Sequence, residues 1–156
     1  MQNQDGAIIY SATDLVVFAS CRARTAFDLA LMHGLQARVI AKFNLRELVP
    51  ATADDTAQIL ARHGDNHEKA YLEYLKTKYK NVLEVSHEPS RIEATSKAMT
   101  SRADVIFQAA LKDEHFAGCA DFLIISQSRH RTVYDIADTK LARSNRAKFM
   151  LQLGLY

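Results

Sequence analysis

Three β-prone runs follow one another between residues 103 and 140: ADVIFQAAL (103–111), FAGCADFLIIS (116–126) and RTVYDIADTK (131–140). Only KDEH and QSRH separate them. Breaks that short leave no room for a crossover helix, so the runs must pair as antiparallel neighbours. A meander needs a hydrophobic partner for each buried face, and helical segments lie before and after it. Ser11 with Asp14 three residues on forms a loose capping box for a first helix carrying Leu15, Phe18, Phe27 and Leu31. That helix has a break near Ser20-Cys21 and an end at Gly34. Residues 35–53 read as irregular, and Pro50 stops any helix there. Asp54 or Asp55 caps a longer helix in which Ile59, Leu60, Tyr71, Tyr74 and Leu75 recur at helical spacing. Val82, Leu83 and Val85 make a short strand, and Pro89-Ser90 opens a short helix through about Met99. A last helix starts near Asn145 and carries Phe149, Leu151 and Leu153. The expected fold is mixed α/β of the α+β kind, a central mixed sheet with an antiparallel meander flanked by helices.

At 156 residues the chain is one domain with a real core, and 48% hydrophobic with 24% charged residues is a globular composition. A net charge of +2 permits nucleic acid as a partner without demanding it. There is no basic n-region with an apolar stretch behind it, and no 18-residue apolar run, so a signal peptide and a membrane partner are not expected. Two cysteines, Cys21 and Cys119, make no disulfide scaffold, and a reducing cytoplasm is the expected location.

The third run continues as YDIADTKLA (134–142), which places an acid and a lysine two apart on a half-buried strand. Charge there is expensive unless it is paired or used. Residues two apart share a face, so Tyr134, Ile136, Asp138 and Lys140 point the same way. Asp121 lies on the preceding strand, and a hairpin pairing brings it towards Asp138. Two close carboxylates repel unless a cation lies between them, and Mg²⁺ is the natural hard ion for such a pair. A lysine at the same place steadies negative charge on hydroxide or phosphate. Asp138-Thr139-Lys140 is the only acid-x-Lys triplet among nine lysines, but from the triplet alone a solvated strand end is the favoured reading. Cys119, two before Asp121, shares its face and would draw softer ions such as Zn²⁺. His67 lies in GDNHEKAYLEYL on the helix face of Leu60, Tyr71 and Tyr74, as a ligand or as a satisfied core histidine. Gln152 and Tyr156, four apart, lie one above the other on the last helix.

Taken in order, Gly64-x-x-His67-Glu68, Gly118-x-Ala120-Asp121, Asp138-x-Lys140 and Gln152-x-x-x-Tyr156 resemble the RecB-like branch of the PD-(D/E)XK nuclease superfamily. That branch includes nuclease domains of bacterial recombination helicase–nucleases and CRISPR-associated exonucleases. The likeness spans essentially the whole chain, with SATDLVVFASCRARTAFDLA resembling the start of stand-alone members. It implies a restriction-endonuclease-like core over residues 54–156, preceded by a helical part over 1–53. It implies Mg²⁺ or Mn²⁺ as cofactor and hydrolysis of DNA phosphodiesters, in single strands or at duplex ends. His67, Asp121 and Asp138 match the metal ligands and Lys140 the catalytic lysine. Glu68 adjoins the histidine and orients bound water. Gln152 and Tyr156 match a motif that supports the site and contacts DNA.

Arg143 and Arg146 follow the active-site strand and either contact phosphates or face water. Cys21 matches the upstream cysteine of relatives that hold an iron–sulfur cluster. Four thiolates are needed for such a cluster, so it is expected only in a longer chain. The stop just after the last helix reads as a C-terminal truncation, with a helicase or other domain expected beyond it. The alternatives are a nuclease-fold module that binds DNA or a protein without cutting, and an unrelated α/β domain with surface charges.

Overall fold

The computed structural model describes residues 1–4, 6–47, 55–128, 131–140 and 147–155. In chain order they form β1 (Gln2–Gln4), β2 (Ala7–Ile9), α1 (Ala12–Ser20), α2 (Arg22–Met32), α3 (Gln36–Phe43), α4 (Asp55–Lys78), β3 (Val82–Glu84), α5 (Arg91–Thr100), β4 (Val105–Lys112), β5 (Ala117–Ser128), β6 (Arg131–Ala137) and α6 (Ala147–Leu153). The fold is mixed α/β. No helix of the described residues is long and apolar enough to cross a membrane.

The main sheet runs β3-β4-β5-β6. The meander expected from the short breaks is present: β4, β5 and β6 pair antiparallel, while β3 pairs parallel to β4. A parallel pair needs a crossover, and α5 provides it. Side chains on the two faces separate into two cores. On one face, Val105, Phe107 and Phe122 pack under Leu72 and Leu75 of α4. On the other, Ile106, Ala109, Ala120 and Leu123 pack with Ala98 of α5. The sheet is therefore the middle layer of three, and both its faces are apolar.

The alternation is interrupted once. Phe107 belongs to the α4 side and Ala109, two residues on, to the α5 side. Ala120 and Phe122 exchange sides in the same way on β5. The register pairs Phe107 with Phe122 and Ala109 with Ala120, and skips Gln108 and Asp121 between them. Gln108 has φ 57, the left-handed region, which a side chain makes costly. The step in the pleat sits beside the candidate site.

β3 ends opposite Phe107, so β4 beyond that residue has no strand on its outer side. Bare strand edges cost unpaired backbone groups. Here α5 covers them. Arg91 Nη2 donates to the Gln108 carbonyl at 2.6 Å, and the Ala110 N–H donates to Thr95 Oγ1 at 3.0 Å. Thr95 is 1% exposed and its hydroxyl donates in turn to the Arg91 carbonyl at 2.8 Å.

The N-terminal part is legible in most respects. Ser11 and Asp14 form the expected capping box, and the terminal ammonium ion-pairs with Asp14. Cys21 is extended between α1 and α2, which is the expected break, and Gly34 lies at the expected end with φ 68. A parallel bridge between Tyr10 and Phe116 ties this region to the β4–β5 turn, and α6 packs against α1.

Three expectations are corrected. Residues 36–43 are helical rather than irregular. The helix has no side-chain cap at its start and ends on Asn44 at φ 52, so the usual start signal is missing. On α4 the expected stripe holds at Leu75 and at half-buried Tyr71 and is joined by Leu72, while Ile59, Leu60 and Tyr74 are exposed. Residues 56–63 are exposed throughout, so this third of a 24-residue helix is not buried against the described core. The N-terminal hairpin of β1 and β2 has no counterpart in the reading of the sequence; three-residue strands give no periodicity to detect. Pro50 and Asp54 lie outside the described residues.

The edge cap carries a measurable consequence. Thr95→Val keeps the volume and removes the only side-chain partner that the structure gives the Ala110 N–H. It is expected to cost about 1–3 kcal/mol in a urea unfolding experiment. A change of only a few tenths would mean that the helix does not stabilise the strand edge.

Candidate functional site

The β5–β6 ladder ends at Phe122 opposite Ala137. Continued by one step, the antiparallel register sets Asp121 opposite Asp138, as the hairpin reading requires. The strand does not run on to Lys140: residues 138–140 leave the ladder. The Thr139 N–H instead donates to Asp121 Oδ2 at 3.0 Å, with the Thr139 hydroxyl at 3.4 Å from the same oxygen. Asp121 and Asp138 share a hydrogen bond between their carboxyl groups. Lys140 Nζ lies 2.6 Å from Asp138, whose side chain is only 11% exposed. The two charges of the triplet are thus paired with each other at the end of the strand.

α4 brings a third carboxylate, Glu68, towards the pair, while the expected ligand His67 on the same helix does not face them. His67 is exposed. Adjacent helical residues diverge by about 100°, and the turn that carries Leu72 and Leu75 onto the sheet points Glu68 inward. Gln108 Nε2 donates to Glu68 Oε1. The charges of Asp138 and Lys140 both act on Glu68, and that of Glu68 acts on Asp121. A cleft of about 570 Å³ opens beside Glu68 and Gln108, bounded by α4 and by Ser86 and His87 after β3.

The electrostatics follow from this crowding. Asp121 is pushed up to about 7, first by burial and then by the hydrogen bond to Asp138, with the Thr139 N–H opposing. Glu68 is raised by burial, held back by Gln108, and raised further by Asp65 and Asp138. The Cys119 thiol is also raised by burial, against the pull of Arg91. Arg91 Nη2 donates to Cys119 Sγ. A guanidinium therefore stands at the thiol, and this disfavours the expected soft-metal site.

The donor set is of the kind that suits a hard cation: three carboxylates, of which Asp121 and Asp138 lie side by side and Asp138 is paired with the Lys140 ammonium. Among the described residues no three His, Cys, Asp or Glu side chains close on a single point. The arrangement is two carboxyls in contact with a third within electrostatic reach.

α6 approaches from the α1 side. Lys140 Nζ lies 5.9 Å from the centre of the Phe149 ring, and Lys148 Nζ lies 5.3 Å from it. Gln152 is half-buried on this helix. Tyr156, Arg143 and Arg146 lie outside the described residues. Cys21 is exposed between α1 and α2.

Reading the sequence missed Gln108, Thr139 and Arg91. Gln108 left one signal, as the polar residue inside the apolar stretch VIFQAAL. Comparison with protein-family models, with curated proteins and with solved structures finds no match to the chain.

Without divalent ions, Asp121 keeps its proton in the folded chain up to about pH 7 and loses it near its ordinary 3.8 when unfolded. Between those values the folded state binds more protons, so stability falls as pH rises. Asp121→Asn removes this term and still accepts from Thr139. In EDTA, its melting temperature relative to wild type is expected to rise steadily from about pH 4 to about pH 7. Parallel melting curves across that range would contradict the buried, proton-sharing pair.

Proposed function

We propose that the chain is a divalent-metal-dependent nuclease of the PD-(D/E)XK type that hydrolyses DNA phosphodiester bonds. The observation that carries this reading is the convergence of Asp121, Asp138, Lys140 and Glu68 at one end of a mixed sheet covered by helices on both faces. The order of motifs in the sequence supports it independently.

Asp121 and Asp138 are the oxygen donors to Mg²⁺ or Mn²⁺, and Glu68 is the third. A bound ion supplies two things here, a lowered pKa for water and polarisation of a phosphoryl oxygen. With a cation held at Asp138, Lys140 would be freed from that carboxylate, and its ammonium, which lies near Phe149, would be available to the negative charge on a phosphate. Lys148, on the same helix as Phe149, would meet the nucleic-acid backbone; Arg143 and Arg146, outside the described residues, are proposed as further phosphate contacts from the sequence alone. Gln152 supports this side of the site. Glu68 in this scheme is a ligand and His67 is not, which reverses their roles in the family likeness.

A second reading is a nuclease-fold module that binds DNA or a protein partner without cutting. The absence of a closed three-ligand set among the described residues favours it. Cleavage separates the two. Labelled single- and double-stranded DNA is incubated with Mn²⁺, Mg²⁺ or EDTA. The expected result is metal-dependent cutting that falls by about a hundredfold or more in Asp138→Ala and Lys140→Ala. Glu68→Gln is expected to lose activity to a similar degree while His67→Ala retains most of it. Retained DNA binding with no cutting in any metal would establish the binding module instead. Binding by either is expected to weaken steeply with salt.

A further inference from the structure

Gln108 combines features that ordinary packing does not explain. It is a non-glycine residue at φ 57 in the middle of a strand, at the one rung that the β4–β5 register skips. That rung faces Asp121. Its carbonyl accepts from Arg91 Nη2 at 2.6 Å. Its side-chain Oε1 is 3.4 Å from the same Arg91 nitrogen and 3.3 Å from Cys119 Sγ. Arg91 and Cys119 both present donors, so the amide must turn its oxygen to them and its N–H group to Glu68. The amide orientation is thereby fixed by its neighbours on one side, and the Glu68 carboxylate is fixed by the amide on the other.

A regular strand residue at 108 would continue the alternation and lose this connection. The left-handed backbone is what lets one side chain stand between α5, β5 and α4. A costly conformation that links a candidate ligand to a rigid helix belongs to a functional constraint rather than to the core.

Resting on the metal-centre reading above, we propose that Gln108 is a positioning residue, anchored by Arg91 and Cys119, that holds Glu68 ready to receive a divalent cation alongside Asp121 and Asp138. Glu68 Oε1 is committed to Gln108, and Oε2 is the oxygen it offers. Without the amide, Glu68 turns towards solvent and the centre keeps only its two aspartates. Partners of this kind typically contribute ten- to a hundredfold to metal affinity.

The test measures Mn²⁺ binding to the full chain by electron paramagnetic resonance of the free ion, alongside thermal melting. Gln108→Leu removes the amide and keeps the backbone penalty. Gln108→Gly removes the amide and relieves it, because glycine adopts positive φ at no cost. Both variants are expected to bind Mn²⁺ about tenfold or more weakly than wild type, while Gln108→Gly melts above Gln108→Leu. A purely structural role would make affinity follow melting temperature, so that Gln108→Gly recovers both. Recovery of that kind overturns the proposal, and so does unchanged Mn²⁺ affinity in both variants when Asp121→Asn has lost it. Wild type that binds no Mn²⁺ overturns the metal-centre reading, and the positioning role with it.

Discussion

Burying Asp121 against Asp138 sets like charges together where water is scarce, and both cannot be ionised at neutral pH without compensation. The folded chain meets this in three ways. Asp121 is pushed up to about 7 and hydrogen-bonds to Asp138, the Thr139 N–H donates to Asp121, and Lys140 neutralises Asp138. None of these would hold two acids together in a mobile chain. They act because the hydrophobic layers on both faces of the sheet fix the ends of β5 and β6 at that spot. The favourable burial of Phe122, Leu123 and Val105 thus offsets an unfavourable arrangement of charge a few residues away.

The same compensation explains the irregular features around the site. β6 stops at Ala137 so that Thr139 can turn its N–H onto Asp121. The pleat steps at Gln108 and Asp121, and Arg91 and Thr95 cover the strand edge left where β3 ends. Each departure from regular sheet geometry lies within a residue or two of a carboxylate or its partner. A protein that needed only a stable core would have no reason to concentrate its irregularities there.

Much of this was legible in the sequence because it depends on local signals. The short polar breaks KDEH and QSRH forced the meander, Ser11 and Asp14 announced a helix, and the spacing of Asp121 and Asp138 set their convergence. What escaped depends on tertiary contacts. Leu60 and Tyr74 have helical spacing but are exposed among the described residues, while Leu72 joins the expected Leu75 in the core. Glu68, four residues before Leu72, follows that buried face, and His67 is exposed. α3 gave no start signal because it has no side-chain cap. Gln108 was not singled out, because what distinguishes it is a backbone angle and a contact with Arg91, which lies 17 residues earlier in the chain.

On the proposed reading, the crowded carboxylates are a place prepared for a divalent cation. A crystal of the chain soaked with Mn²⁺ tests this most directly through the anomalous signal of the metal. The account predicts a peak about 2.1 Å from oxygens of both Asp121 and Asp138, with Glu68 turned to it and Lys140 moved off Asp138. A well-occupied crystal with no peak there, and with Lys140 still paired to Asp138, would contradict it.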